Sequence, residues 1–306
     1  SNGLLLAQTS AAGIPTNGED FSNIVEYSNG AVTGSPDPAT RVVEFAGGVL
    51  NQLGPLTAIE LGGVGANKNY IFVGGTNGLA VLTKSDGSGW QTPLASGFQG
   101  FEPDMRFVKI GSYARVRKLI ADGDYVYILT DDRIDRIDVT TSNFATNTLN
   151  IVTLTRSSAS VSLLDLLVSG KFALLATTVG LWRVPNGKDI ADPLLAETNF
   201  VWELVPLNES VGPITSLIAR TVTGREQDFA RNGGSMVLAF NAYQGKDRAQ
   251  LYRLSVGDVS ASDIDSATVQ PFADVFVAGI NSYFVQFGAY KDSFATDGIL
   301  YFITRD

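Results

Sequence analysis

The 306-residue chain contains no cysteine and no histidine. Without cysteine there is no disulfide, no thiolate nucleophile and no iron–sulfur cluster. Without histidine the Ser-His-Asp and Cys-His machineries, His-ligated zinc and haem, and the commonest general base all fall away. No cofactor is implied. Charge is also scarce: charged residues make up 17%, and 22 basic residues stand against 31 acidic ones for a net of −9. Nucleic acids and anionic membranes are bound through basic patches, so this balance argues against both. Long apolar runs are missing too. Leu163–Val168, interrupted by Asp165, is strand-sized, well short of the ~20 residues of a spanning helix, so no membrane insertion is expected. Gly3–Ala7 is too short for a signal-peptide core and lacks a basic flank. The first residue is Ser1 rather than Met, which suggests a processed chain or a domain cut from a longer one.

What the chain does have is 44% apolar residues, enough for a sizeable core; a chain of this length buries roughly three quarters of its unfolded surface. One domain spanning residues 1–306 is expected. Gly, Ser, Thr and Asn supply the polar surface in place of charge, a composition expected of a β-rich extracytoplasmic protein, whether secreted, periplasmic or on the cell surface.

A short pattern recurs. Tyr70–Thr83, Tyr125–Val139, Phe172–Val184 and Met236–Ser255 each read as two strands joined by a turn, rich in β-branched and aromatic residues. Thr76-Asn77-Gly78 and Thr130-Asp131-Asp132 supply turn chemistry. An apolar segment precedes each hairpin: Leu56–Glu60, Val116–Ala121, Leu163–Val168 and Ile214–Ala219. A weaker strand follows each: Trp90–Leu94, Thr148–Leu154, Phe200–Val205 and Ala267–Phe272. Arg133–Val139 alternates polar and apolar residues as an outer strand would. Little helix is expected, with Asp165–Gly170 and Asp189–Ala196 the only segments that could form it, the first reading better as a strand.

Four antiparallel strands per repeat make a propeller blade, so the fold expected is all-β, a β-propeller of about five four-stranded blades. Two packed β-sandwich domains are the rival. The last repeat, Tyr283–Phe287 and Ile299–Thr304, stops after two strands. Ser1–Ser10 (SNGLLLAQTS) matches Thr76–Ser85 (TNGLAVLTKS), so the N-terminus is expected to supply the third strand of the last blade, with Asn23–Tyr27 or Arg41–Phe45 as its fourth. Strands from both ends of the chain then close the ring and cover an open edge. Gly78–Leu82 and Gly180–Val184, each after a small-residue turn, resemble sensor-type propeller repeats, those in the extracellular parts of two-component regulators. That resemblance implies architecture and leaves function open.

Candidate chemistry is sparse. Asp165, mid-strand among leucines, is a candidate channel-facing acid or ligand, or else a carboxylate that bonds backbone between blades. Five-bladed propellers include glycosidases with paired acids, but Glu60 at a strand end and Asp122 in a turn are poor partners for it, so no enzyme is expected. The oxygen-rich turns at Ser85–Ser88, Asp122–Asp124 and Asp131–Asp135 do not match a calcium loop, and no metal site is expected. The connection Ala95–Ala114 carries Phe98, Phe101, Phe107 and Tyr113 with Glu102, Asp104 and Arg106. These aromatic and charged residues are either an interface anchor or a hydrophobic plug between blades. Asn208-Glu209-Ser210 is a glycosylation sequon in a eukaryotic secretory setting. The expected role is a non-catalytic module that binds another protein or a neighbouring domain. A carbohydrate-binding, lectin-like propeller is the alternative, and the unlike turns of successive repeats weigh against it.

Overall fold

The computed structural model describes residues 3–8, 22–27, 42–44, 49–62, 70–89, 106–185, 187–199, 201–207, 213–219, 236–242, 248–255, 268–276, 283–290 and 299–305. The fold is all-β. Strands β1 (Gly3–Gln8), β2 (Ser22–Tyr27) and β3 (Val42–Glu44) form a three-stranded sheet. A single helical turn, α1 (Val49–Gln52), precedes the first four-stranded sheet. That sheet holds β4 (Leu56–Gly62), β5 (Tyr70–Gly75), β6 (Gly78–Thr83) and β7 (Arg106–Ile110), in sequence order. The second contains β8 (Val116–Asp122), β9 (Tyr125–Thr130), β10 (Arg133–Asp138) and β11 (Ile151–Arg156). The third contains β12 (Leu163–Ser169), β13 (Phe172–Thr177), β14 (Gly180–Arg183) and β15 (Glu203–Leu204). The fourth contains β16 (Ser216–Ala219), β17 (Met236–Ala242), β18 (Arg248–Ser255) and β19 (Thr268–Phe276). Strands β20 (Tyr283–Tyr290) and β21 (Ile299–Arg305) pair by themselves.

The ladders repeat a common register. In β4 the pairing with β5 shifts between Leu56 and Ala58; in β12 the same shift falls between Leu163 and Asp165, and in β20 between Phe284 and Gln286. A bulge at the second or third position of the leading strand is therefore shared by three repeats whose sequences differ. Bulges bend a strand and sharpen its twist, so these three ladders share a local bend, whereas the β16–β17 ladder is regular. The following turn is closed by a buried hydroxyl where threonine ends the second strand. Thr130 Oγ1 accepts the Arg133 N–H at 3.0 Å, and Thr177 Oγ1 donates to the Gly180 carbonyl at 3.1 Å.

Several expectations need correction. The outer strand of the first sheet is Arg106–Ile110, not Trp90–Leu94; Leu79 pairs with Ile110 and Thr83 with Arg106. The other outer strands are likewise displaced from or differ in length from Thr148–Leu154, Phe200–Val205 and Ala267–Phe272. Arg133–Val139 is not an outer strand: β10 lies between β9 and β11, with Ile134, Asp135, Arg136 and Ile137 all buried. Each of its two faces buries one charged and one apolar side chain, Arg136 with Ile134 and Asp135 with Ile137. Asp189–Ala196 forms successive turns rather than helix, with Asp189 and Asp192 capping the N–H groups two residues on, at 2.8 and 2.9 Å. The ring closure is not among the ladders: β1 pairs with β2, and β21 with β20.

By contact density the chain divides into residues 1–119 with 137–150, and residues 120–136 with 151–306. Within the first unit, Phe144 reaches into the first sheet's core, edge-on to Tyr70 at 4.6 Å and to Phe72 at 5.6 Å between ring centres. Within the second, Tyr127, Leu129, Ile134 and Leu154 pack with Leu163, Leu166, Val168 and Leu175, and with Ile190, Leu195 and Trp202. Leu175 and its neighbours are thus buried on a face shared by two successive sheets, as in stacked β-layers. Among the described residues no helix is long and apolar enough to cross a membrane.

Candidate functional site

The carboxylate singled out in the sequence is committed to backbone. Asp165 is buried on β12; its Oδ1 accepts the Leu166 N–H at 2.8 Å and its Oδ2 accepts the Leu217 N–H, on β16, at 2.6 Å. Asp122, buried at the end of β8, accepts the N–H of Gly170 in the turn between β12 and β13. Thr57 on β4 donates its hydroxyl to the Val116 carbonyl at the start of β8. Three times, then, a polar side chain of one sheet's leading strand bonds the backbone of the next sheet. Charge-assisted bonds of this kind satisfy a buried carboxylate without a cation.

The oxygen-rich turns are self-satisfied. Asp86 accepts both N–H and hydroxyl of Ser88 at 2.8 and 2.7 Å, and these bonds hold its pKa below the ordinary carboxylate value. A hydrogen bond from the Thr130 hydroxyl, at 2.7 Å, chiefly lowers that of Asp132, with Arg133 assisting. Asp138 is partly desolvated, which works the other way, but bonds from Thr140 and Thr141 outweigh it and lower its pKa. Asp135 holds Arg133 Nε at 2.8 Å and accepts the Thr153 hydroxyl at 2.8 Å. No group of three acids able to hold a metal ion occurs among the described residues.

Of the connection expected to carry an interface, Phe98, Phe101, Glu102 and Asp104 lie outside the described residues, as does the sequon Asn208-Glu209-Ser210. Arg106 opens β7 and is exposed, whereas Phe107 and Tyr113 are buried. These two aromatics are part of the core.

The described surface offers two features instead. The first is apolar. Of the five exposed large hydrophobic residues, four fall between positions 179 and 204: Val179 (51% exposed), Leu194 (78%), Val201 (78%) and Leu204 (53%). Leu204 sits on β15, opposite Trp182, with its side chain over Gly180. The Val205 N–H bonds the Leu181 carbonyl at 2.9 Å. Antiparallel pairs alternate between bonded and non-bonded, so the backbone polar groups of Leu204 point away from β14, along the sheet's outer edge. The second feature is basic. Arg106, Lys109, Arg115, Arg117 and Lys118 fall within 13 residues that contain no acid, in a chain of net charge −9. Charge contrast along the chain signals this segment in the sequence; weighing only its aromatic residues misses it. No family model matches the chain, and no curated protein matches it either.

Proposed function

We propose that the chain is a β-propeller of about five blades acting as a non-catalytic protein-binding or scaffolding module in an extracytoplasmic or surface assembly. The four-stranded sheets, three of them begun by a strand that bonds to the next sheet's backbone, support the blade reading. The two-stranded β20–β21 lacks an outer half, and β1–β2 has the polarity and place in the repeat to supply it. The observation that carries protein binding is the exposure of Leu204 on the outer strand and of Val179, Leu194 and Val201 in the segment around it, since concentrated apolar exposure marks interaction surfaces. The committed carboxylates of Asp122 and Asp165 support a non-catalytic role.

The test is affinity capture from the native extracytoplasmic fraction with the wild type and with Val201→Ser/Leu204→Ser. The substitutions sit at exposed positions, so the melting temperature should hold. A protein enriched by the wild type and lost by the variant, then titrated in purified form against both, is the expected result. Equal capture by both, or turnover of a glycoside or ester by the wild type, refutes the reading.

A further inference from the structure

Two cations of the basic segment, Lys109 and Arg115, come to one end of the first sheet. Lys109 pairs with Ala80, one step from the Leu79–Ile110 pair. The Lys109 stem lies across the β5–β6 turn, where a β-carbon at Gly78 would come within 2.8 Å of its Cε. Leu56 pairs with Gly75 at the same end of the sheet. The neighbouring Thr57 bonds the Val116 carbonyl, and Val116 packs against Gly74. Arg115, next in sequence to Val116, is therefore held at the Lys109 end, while Arg106 lies three residues along β7, ~10 Å away.

This end is rigid. Gly111 has φ +62°, and a β-carbon there would overlap the Tyr113 ring. Tyr113 is buried, so the loop between β7 and β8 is pinned while Arg115 stays exposed. No ion pair joins Arg106, Lys109 or Arg115 among the described residues. Three described acids flank the segment: Glu60 on β4, four residues from Leu56 and opposite Phe72, Asp86 beyond Thr83 at the Arg106 end, and Asp122 at the far end of β8.

We propose that the Lys109–Arg115 end of the first sheet binds a short acidic segment of a protein partner. The proposal rests on the protein-binding reading and names the partner's chemistry. The length of the ligand follows from the charge distribution. A long polyanion extends beyond the patch over a surface of net charge −9 and is repelled there, whereas a short run of Asp or Glu meets only the local cations. Arginine and lysine on a rigid support lose little freedom when such a run docks.

The experiment uses the full chain and a labelled poly-glutamate peptide, followed by fluorescence anisotropy at low salt. Poly-glutamine and a single-stranded oligonucleotide serve as competitors. Poly-glutamate should bind, and binding should weaken as salt rises. Lys109→Gln/Arg115→Gln should weaken it about tenfold, and Arg106→Gln/Arg115→Gln should also weaken it if the first variant unfolds. Lys171→Gln/Lys188→Gln, at exposed positions of the third sheet, should leave it unchanged. Absent binding, equal affinity in both patch variants, equal loss in the third-sheet variant, or preference for the oligonucleotide each overturns the assignment. The protein-binding reading is tested separately through Val201 and Leu204, so a partner still captured there leaves that reading standing while the acidic segment falls.

Discussion

Asp135 and Arg136 are neighbours on β10, each about 2% exposed, yet they serve opposite faces. Asp135 answers Arg133 and Thr153. Arg136 donates to the carbonyls of Ile190 and Leu195, at 2.5 and 3.4 Å, and lies 4.9 Å from the centre of the Tyr125 ring. It thereby fastens the turns that follow β14. Arg136→Met should strand two buried carbonyls, each costing ~1–3 kcal/mol, and should raise amide exchange between residues 190 and 195. Nearby, the Tyr127 hydroxyl is buried with no hydrogen-bond partner among the described residues, and burial raises its pKa. Tyr127→Phe removes a polar atom that gains nothing, so urea denaturation should find stability unchanged or increased; a loss of ~2 kcal/mol would contradict this. Asp165→Asn turns an amide N–H toward one of two backbone donors and should cost ~2 kcal/mol without altering partner binding. For Asp132 and Asp138 the folded pKa is lowered. Their contribution to stability is thus complete above the unfolded value, ~3.9, and is lost as pH falls through the lower folded values. Thr130→Val removes the largest cause at Asp132, so NMR titration should find its pKa moved back up.

Elements differ in how far their sequences betray them. Central hairpins bury both faces and read plainly: Tyr70–Gly75 and Gly78–Thr83 are buried throughout, and their apolar runs alone mark them as strands. Outer strands pair on one side only, so composition constrains them weakly. β7 is set by its register with β6 rather than by its own pattern, and β15 is only two residues long. The excursion between β10 and β11 is the opposite case. It looks like a loop, yet it carries Phe144, wholly buried against Tyr70 and Phe72. Phe144→Ala should cost ~3–5 kcal/mol, measured by urea denaturation, as a core substitution would. Asp165 was legible as an expensive buried carboxylate, but which N–H groups would satisfy it depends on the next sheet, beyond any local pattern. The basic segment was legible in charge alone, whereas the meeting of Lys109 and Arg115 at one end of a sheet needed the Thr57–Val116 bond.

At the scale of the molecule, the proposed ring requires β21 to pair with β1, each of which is seen in a sheet of its own. The repeat gives a definite register. In the first sheet Gly75 pairs with Gly78 and Gly74 with Leu79. Mapping β21 onto β5 and β1 onto β6 sets Thr304 opposite Gly3 and Ile303 opposite Leu4. A two-residue turn joins a bonded pair, so Ile303 and Leu4 would form the closer, non-bonded pair suited to a disulfide. Because the chain has no cysteine, Leu4→Cys/Ile303→Cys can form only one intramolecular bridge. It should form in air without denaturant and raise the melting temperature, since it closes nearly the whole chain into one loop. Deleting residues 1–9 removes Leu4, Leu5 and Leu6, each worth ~1.5–3 kcal/mol where buried. It would also leave two strand edges unpaired. The loss should reach several kcal/mol, far more than an equal deletion from Arg225–Gly233 costs. A free thiol pair under oxidising conditions, together with a truncated chain that melts within a degree or two of the intact one, would open the ring and leave β1–β3 as a separate sheet.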